Sequence, residues 1–222
     1  MLTSIDIESI ELDIAKESHH AYKLINNPWK RPFDLLLATL VTVGVLIWMI
    51  PLVGLLIKAT SPGPVFFVQW RTGRNGRPFH CYKFRTMLHD HQNITFRQAV
   101  HNDARITTVG RWLRRTNLDE MPQFLNVLIG NMSLVGPRPH AIQHDAEFWF
   151  RLPNYHKRYD VLPGITGLAQ VRGARGLTDN ALKMKHRLQY DLFYIRKHSL
   201  WQDIVICWQT AIKMFGGNTN GW

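Results

Sequence analysis

Cysteines and acidic side chains are scarce in this sequence. Its two cysteines, Cys81 and Cys207, lie far apart and in no metal-ligand or redox spacing, so neither a disulfide framework nor a zinc site is indicated. The 16 acidic residues are outnumbered by 27 lysines and arginines, which gives a formal net charge of +11. A field of this sign attracts polyanions, whether nucleic acid, anionic lipid head groups or phosphorylated small molecules, and charge alone does not choose among them.

The usual sequence signatures of nucleotide-binding and hydrolytic enzymes are also absent. The chain has no phosphate loop of the form G-x-x-x-x-G-K-[ST], and no G-x-G-x-x-G, G-x-S-x-G or H-E-x-x-H. A composition of 45% hydrophobic and 19% charged residues excludes a disordered or collagen-like chain. A length of 222 residues suits one catalytic domain with appendages.

One long apolar run is present instead. Residues 35–57 are 23 consecutive residues without a charge, and as a straight helix they would cover about 34 Å, enough to cross a hydrocarbon core of about 30 Å. The run is too long and too pure for an ordinary core helix. An acidic stretch precedes it and no small-residue cleavage site follows, which argues against a cleaved signal peptide. We expect this segment to meet lipid.

The manner of insertion depends on Pro51, which lies two-thirds of the way along the run. Proline removes one helical hydrogen bond and clashes with the preceding turn, so a sharp bend is predicted at residues 49–51. Basic residues flank the run on both sides, and the positive-inside bias favours both ends on the cytoplasmic face. A helix-break-helix that enters and leaves one leaflet, broken at Pro51, satisfies both observations. A kinked single span is the alternative.

The remaining pattern predicts a β-hairpin and two helices. Aromatic, β-branched runs on either side of Asn75-Gly76 predict two antiparallel strands over residues 65–85. Residues 86–105 lack periodicity and are interpreted as a mobile loop, a candidate lid. Residues 184–195 and 201–215 carry apolar stripes with helical spacing. The simpler interpretation packs both stripes on the core, and the alternative places the second, with Trp201 and Trp208, at a membrane interface.

Two adjacent carboxylates, Asp119 and Glu120, are the first candidates for chemistry. Asn117 or Asp119 would serve as the N-cap of a following helix, with Pro122 favouring the later start, because proline is tolerated in a first turn. From the pair alone, helix-capping acids are the simpler interpretation. His140 and His144 would share a helical face, but a metal site there needs a further ligand that the sequence does not identify.

The charges around the acids favour chemistry over capping. Arg111, Arg114 and Arg115 precede them, and Arg138 is held between two prolines downstream. Guanidinium groups bind phosphate oxygens in bidentate fashion. A carboxylate that attacks phosphorus needs such neutralisation, because an anion approaching a diphosphate is otherwise repelled; a divalent metal would add to it.

Together these segments resemble a known family, the bacterial sugar transferases of the monotopic phosphoglycosyl transferase superfamily. The resemblance extends over about residues 30–215. It rests on KRPFD at 30–34, the apolar run with Pro51, SPGPVFFVQWRTGRNGRPFHCYKFRTM at 61–87, LRRTNLDEMPQFLNVLIGNMSLVGPRP at 113–139 and PGITGLAQVRG at 163–173.

The resemblance implies a helix-rich α/β catalytic domain with a short β-hairpin, facing the cytoplasm at the bacterial inner membrane. A re-entrant helix-break-helix and interfacial amphipathic helices would attach it to the bilayer. The implied units are an acidic appendage at 1–29, the membrane segment at 30–60, the catalytic domain at 61–216 and a tail at 217–222. The chain resembles the small, catalytic-core form of the family.

The implied activity is a two-step transfer of a hexose 1-phosphate from a UDP-sugar to undecaprenyl phosphate with Mg²⁺, releasing UMP and initiating surface polysaccharide synthesis. At the matching positions, Asp119 is the nucleophile and a Mg²⁺ ligand, Glu120 is its dyad partner, and Arg114 and Arg138 hold phosphates. The PGITG block would help to shape the nucleotide-sugar site. Residues 172–203 resemble members that transfer glucose 1-phosphate.

Three other classes remain as alternatives. A nucleic-acid-binding protein suits the basic charge and the 11% aromatic content but does not explain the apolar run, so nucleic acid is not an expected partner. A conventional glycosyltransferase would release UDP in place of UMP. A membrane scaffold would tolerate loss of Asp119 and Glu120.

Overall fold

Helices dominate the part of the chain that the computed structural model describes, which is residues 27–89, 103–174, 176 and 181–215. Most of the predicted appendage, residues 90–102 of the predicted lid and the predicted tail lie outside these residues. The helices are α1 (Lys30–Val41), α2 (Ile47–Thr60), α3 (Thr108–Thr116), α4 (Gln123–Ile129), α5 (Ile142–Phe148), α6 (Leu168–Val171), α7 (Ala181–Lys197) and α8 (Leu200–Phe215). The strands are β1 (Phe66–Thr72), β2 (Pro78–Phe84), β3 (Ser133–Val135) and β4 (Gly164–Thr166).

The apolar run forms one continuous helical stretch, Lys30–Thr60, which is long and apolar enough to cross a membrane. Pro51 lies inside α2, and the helix continues through it. The departure from α geometry is upstream, at a π-helical turn over Thr42–Leu46 that joins α1 to α2. The break predicted at Pro51 is therefore wrong, and the one irregular turn within this helix, of a kind that is a recognised cause of kinking, lies upstream of it.

The N-terminal end of this stretch is fixed to the rest of the molecule by charge. Lys30 Nζ lies 3.0 Å from Asp203 Oδ2 on α8 and donates to Asp34 Oδ1 (3.1 Å) and to the Val135 carbonyl of β3 (3.2 Å). Arg31 donates to the Val127 carbonyl near the end of α4 (2.8 Å). A cation at the last carbonyls of a helix is favourable, so α1 stabilises α4 at its C-terminus.

The C-terminal end of the stretch is fixed by apolar packing to the same body. Val53 and Ile57 are buried against Phe84 of β2 and Leu113 of α3. Immediately after α2, the Ser61 carbonyl accepts a hydrogen bond of 2.8 Å from the Arg85 guanidinium. Both ends of the apolar helix therefore rest on one folded unit.

The predicted hairpin is confirmed. β1 and β2 pair antiparallel from Phe66 opposite Phe84 to Thr72 opposite Pro78. Asn75 takes a positive φ of 58° in the turn, as the Asn-Gly pair predicted. The pairing aligns Arg71 and Lys83 on one face of the hairpin, because they alternate with the residues that face the other way.

A second, parallel pair of strands was not predicted. β3 pairs with β4, and Gly136 and Gly164 approach so closely that a Cβ on Gly164 would lie 2.1 Å from the Gly136 nitrogen. Gly164 also donates from its backbone to the Pro137 carbonyl (2.9 Å). The PGITG block thus supports the backbone on which Arg138 is carried.

The two C-terminal helices differ in what their apolar stripes face. Met184 and Leu188 of α7 are buried, which confirms the core interpretation for that helix. On α8 the core interpretation is wrong, because Trp201 is 72% and Trp208 67% exposed while Asp203 is fully buried. Hydrophobicity alone favoured core packing for this stripe. In the structure the Asp203 side chain points into the interior instead and has its partners there.

Candidate active site

The two acids lie on a short 3-10 turn between α3 and α4. α3 ends at Asn117, whose left-handed φ of 57° reverses the chain, and Leu118–Glu120 form the turn. α4 begins at Gln123, with Pro122 at its N-cap position. The capping interpretation is therefore wrong: neither Asn117 nor Asp119 caps α4, and the acids project from the turn ahead of it.

Glu120 is held by two cations. Lys83 Nζ donates to its Oε1 at 2.7 Å, and Arg138 donates to both carboxylate oxygens, with 2.9 Å to Oε2. Burial alone would raise the pKa of Glu120, but the charges of Arg138 and Lys83 and their hydrogen bonds hold it well below its usual range. Glu120 is thus ionised throughout the physiological range and fixed in place.

Asp119 is in the opposite condition. Within the described part of the chain it accepts no hydrogen bond and forms no salt bridge, although Lys83, Arg114 and Arg138 are near enough to affect its charge. Burial, and next the charge of Glu120, raise its pKa to about 6 against the effect of those cations. At neutral pH this carboxylate is mostly ionised, and its lone pairs are available.

Arg114 lies beside the acids, as predicted. Its Nε donates to the Thr86 hydroxyl at 2.8 Å, so the guanidinium is oriented by the segment that follows β2. Burial lowers the pKa of Arg114, and the nearby charge of Asp119 acts in the other direction. Arg111 and Arg115 are exposed on α3.

Arg138 is positioned from behind by Arg158. This guanidinium is 2% exposed and donates to the Arg138 carbonyl (2.7 Å) and to Asp191 Oδ2 (2.9 Å). It also donates to the Tyr155 hydroxyl (3.1 Å). On the other side, Arg71 donates to the Pro139 carbonyl. The segment Gly136–Pro139 is therefore held by hydrogen bonds to its backbone carbonyls, and the Arg138 side chain pairs with Glu120.

Sequence reasoning missed Lys83, Arg71 and Arg158. A signal for the first two was present, since both lie on the face of the predicted hairpin that also carries the buried Cys81 and Phe79. A cation on a buried strand face requires an acidic or carbonyl partner. Arg158 offered no comparable signal, because its partners come from distant parts of the chain.

His140, one of the two histidines considered as metal ligands, belongs to this supporting network. His140 is buried, and its Nδ1 lies 2.9 Å from the Tyr155 hydroxyl. Burial and the charge of Arg158 keep the pKa of His140 well below its usual value. Among the residues the structure describes, no three His, Cys, Asp or Glu side chains are grouped as metal ligands.

One acidic side chain of the site is suited to binding Mg²⁺. Mg²⁺ is commonly held by one or two carboxylates together with substrate phosphates and water. Asp119, with lone pairs unused in the described structure, meets that requirement as a single protein ligand. Glu120 does not, because its oxygens are engaged by Lys83 and Arg138.

Asp119, a carboxylate that accepts no hydrogen bond from the described residues and lies among fixed cations, is suited to phosphoryl transfer. The chain belongs to the bacterial sugar transferase family, whose sequence profile matches residues 25–217.

Several relatives carry specific names. The chain is 50% identical over 84% of its length to the UDP-glucose:undecaprenyl-phosphate glucose-1-phosphate transferase of Xanthomonas campestris pv. campestris, and covers 38% of that protein. It is 46% identical over 86% of its length to the protein of the same name from Escherichia coli (strain K12), of which it covers 41%. It therefore spans about two fifths of these relatives. It is also 46% identical to the exopolysaccharide production protein PSS of Rhizobium leguminosarum bv. phaseoli, over 83% of this chain and 94% of that one.

Proposed function

We propose that this protein transfers glucose 1-phosphate from UDP-glucose to undecaprenyl phosphate, through a covalent intermediate on Asp119. The observation that carries the proposal is the contrast within the dyad: Glu120 is fixed by Lys83 and Arg138, while Asp119 accepts no hydrogen bond in the described structure. The names of the relatives support the substrates.

In the first step, an Asp119 oxygen attacks the phosphorus that carries the sugar. A bond forms between that oxygen and phosphorus, the bond from phosphorus to the bridging oxygen breaks, and UMP leaves with the electron pair. Arg114 and Arg138 would bind the phosphate oxygens and offset the negative charge that gathers during the displacement. The low pKa of Glu120 keeps Arg138 paired and correctly oriented before substrate arrives.

In the second step, a phosphate oxygen of the lipid acceptor attacks the same phosphorus. The bond to Asp119 breaks and the carboxylate is restored. Dividing the transfer in this way replaces one difficult encounter between two anions with two displacements at a single neutralised site. Asp119 would be the protein ligand of a bound Mg²⁺, which would supply further neutralisation of the phosphate charge.

The leaving group tests this function against a conventional glycosyltransferase. Purified protein with UDP-glucose, undecaprenyl phosphate and Mg²⁺ should release UMP and form a lipid-linked glucose phosphate. Release of UDP would contradict the proposal. Repeating the assay across UDP-sugars with other hexoses tests the donor, and UDP-glucose should give the highest kcat/KM.

We further propose that the helix Lys30–Thr60 enters and leaves the cytoplasmic leaflet of the inner membrane. Both of its ends dock on one folded unit, through Lys30 at one end and Val53 and Ile57 at the other. A span that placed its ends on opposite faces would separate these contacts. Between them, the helix exposes large apolar side chains such as Trp48 (68%) and Leu55 (71%).

The exposed stripe of α8 fits the same placement. Trp201, Ile204, Trp208 and Ile212 follow helical spacing and are all exposed. Indole rings are favoured at the head-group level of a bilayer. A helix lying flat at the surface would therefore cover this stripe and bring the dyad close to the lipid phosphate.

Labelling of introduced cysteines tests the topology. In a background with Cys81 and Cys207 replaced by serine, single cysteines at positions 29 and 60 should both react with an impermeant reagent only from the cytoplasmic side. Reaction of either position from the outside would mean that the helix spans the membrane.

A further inference from the structure

The turn that follows the apolar helix is built around one buried guanidinium. This exit turn is residues 61–64, Ser-Pro-Gly-Pro, directly after α2. Arg85, the first residue after β2, is 4% exposed and donates to the Ser61 carbonyl (2.8 Å), the Ser61 hydroxyl (2.9 Å) and the Pro62 carbonyl. Its backbone N–H donates to the Val65 carbonyl (2.9 Å). The exit turn therefore takes its position from Arg85.

Gly63 shows how closely the exit turn surrounds this side chain. Its φ of 114° favours glycine, and a Cβ at this position would collide with the Arg85 guanidinium. A buried cation whose hydrogen bonds go to carbonyl groups depends on those carbonyls, because burying the charge without them is costly. Arg85 and the exit turn therefore hold each other in place.

Thr86, the next residue, is attached to α3 at two points. Its carbonyl accepts from the backbone N–H of Thr107 (3.1 Å), the N-cap of α3. Its hydroxyl accepts from Arg114 Nε (2.8 Å), near the other end of the same helix. Between these points, a Cβ on Gly110 would collide with the Thr86 carbonyl, so α3 lies directly against this segment. Thr86 thus fixes both the helix and the guanidinium that it carries.

Two consecutive residues therefore join the apolar helix to a side chain of the candidate site. Arg85 holds the exit turn and Thr86 orients Arg114, and a single peptide unit separates the two. Leu113, the neighbour of Arg114, packs in the cluster that contains the buried residues of α2. A shift of the C-terminal end of the apolar helix would thus be passed on to Arg114.

We propose that Arg85 and Thr86 are positioning residues, through which the exit turn sets the Arg114 guanidinium for the phosphates of the sugar-nucleotide donor. The inference rests on the proposed function, in which Arg114 binds those phosphates. Its consequence is that reaction with the donor depends on how the C-terminal end of the apolar helix is seated, although that helix carries none of the proposed catalytic residues.

A matched pair of glycine substitutions in the full chain, in detergent, tests the connection to the exit turn. Gly63→Ala places a methyl group against the Arg85 guanidinium, so UMP should form at least about tenfold more slowly in a single turnover with UDP-glucose and Mg²⁺ without acceptor. Gly76→Ala is the control. Gly76, in the hairpin turn, also has a positive φ (72°), but a Cβ there meets no described atom within 4 Å beyond its chain neighbours. It should change the rate less than twofold.

Substitutions of Thr86 test the connection to Arg114. Thr86→Val keeps the shape of the side chain but removes the hydroxyl that accepts from Arg114, and it should slow the same reaction about tenfold. Thr86→Ser keeps a hydroxyl and should restore the rate to within about threefold of the unaltered protein. Thr60→Val is the control, because the exposed Thr60 hydroxyl donates to the Leu56 carbonyl of its own helix (2.8 Å). It should change the rate less than twofold.

A double-mutant cycle separates positioning from a general loss of structure. Arg114→Lys keeps the cation but has no donor at the position of Nε, so in that background Thr86→Val and Gly63→Ala should each slow the reaction less than about twofold. Equal slowing in both backgrounds would overturn the proposal, since the substituted residues would then act independently of Arg114. The Thr86 cycle decides the question if Gly63→Ala does not fold.

The same assay distinguishes failure of this inference from failure of the proposed function. Normal UMP release by the unaltered protein, with unchanged rates in Gly63→Ala and Thr86→Val, would overturn only the positioning roles of Arg85 and Thr86. Failure of the unaltered protein to release UMP from any UDP-sugar would overturn the proposed function itself, and the positioning roles with it.

Discussion

Two groups of charged residues in this molecule, one buried and one partly buried, are built from similar residues but differ in how many of their acids have hydrogen-bond partners. The anchor cluster joins α1 to α7 and α8, and the dyad cluster joins the turn before α4 to the hairpin. The members of the anchor cluster are Lys30, Asp34, Tyr194, His198 and Asp203, and those of the dyad cluster are Lys83, Asp119, Glu120 and Arg138.

In the anchor cluster every acid is engaged. Asp34 accepts from Lys30 and from the Leu134 backbone (3.2 Å). Asp203 accepts from the Tyr194 hydroxyl (2.7 Å) and interacts with His198 (3.0 Å). Burial would raise the pKa of Asp203, but hydrogen bonding from His198 and the charge of Lys30 keep it below its usual range.

In the dyad cluster Glu120 is engaged, whereas Asp119 has no hydrogen-bond partner among the residues that the structure describes. Glu120 resembles Asp203 of the anchor cluster, with a depressed pKa, whereas the pKa of Asp119 is raised to about 6. A buried acid with all its partners present stabilises a fold. A buried acid without them costs free energy, and that cost is retained where the group has chemistry to perform.

The largest expected effect comes from removing the carboxylate of Asp119. Asp119→Asn should lower turnover by at least about a thousandfold, which corresponds to about 4 kcal/mol of transition-state stabilisation. UMP release from UDP-glucose reports the loss. Glu147→Gln, on the exposed face of α5, is the control and should retain activity. Retention of activity by Asp119→Asn would remove the distinction between the two clusters.

Breaking the anchor cluster should affect stability and leave the chemistry intact. Lys30→Met leaves Asp34 and Asp203 without their shared cation, and removal of one partner from a buried pair costs about 3–5 kcal/mol. Denaturation of the detergent-solubilised protein measures the change. Arg151→Met is the control, since its pair with Glu147 is exposed and contributes at most about 1 kcal/mol. The activity of the folded fraction of Lys30→Met should match that of the unaltered protein.

The support behind Arg138 should matter for activity. Arg158→Lys keeps the charge but loses the simultaneous bonds to the Arg138 carbonyl and Asp191, so we expect kcat/KM for UDP-glucose to fall by about tenfold to a hundredfold. With Arg138 displaced, Asp119 loses part of the positive charge that lowers its pKa, so the acid limb of the pH–rate profile should move to higher pH. A variant that only loses stability would leave that limb in place.

The raised pKa of Asp119 predicts opposite pH effects on activity and stability. Activity should fall as the pH drops through about 6, because the protonated acid is not a nucleophile. Between the unfolded pKa of about 4 and the folded value, the folded state binds more protons, so its stability decreases as the pH rises through this window. Asp119→Asn should therefore stabilise the fold at pH 8, on the order of 1–3 kcal/mol, and have little effect at pH 4. An equal effect at both pH values would contradict the raised pKa.

Much of this could be predicted from the sequence where the signal is local. The hairpin follows from Asn75-Gly76 between two apolar runs, α7 from the spacing of Met184 and Leu188, and the association of Asp119 with Arg114 and Arg138 from family motifs. These features depend on neighbours along the chain or on motifs already known to act together.

The features that were missed depend on distant partners. β3 and β4 have three residues each, too few for a periodic signal, and they pair because Gly136 and Gly164 permit close approach. Trp201 and Trp208 are exposed because the Asp203 side of α8 faces the interior, where it pairs with Lys30, a residue far earlier in the sequence. No proline marks the π turn at Thr42–Leu46 in the sequence, whereas Pro51 lies within the regular helix α2.

Direct detection of the aspartyl phosphosugar tests the central claim. Protein mixed with UDP-glucose and Mg²⁺ in the absence of acceptor, quenched in acid and digested, should carry glucose phosphate on the peptide containing Asp119, and later addition of undecaprenyl phosphate should remove it. Accumulation of lipid-linked product with no modification of Asp119 at any time during turnover would contradict the account.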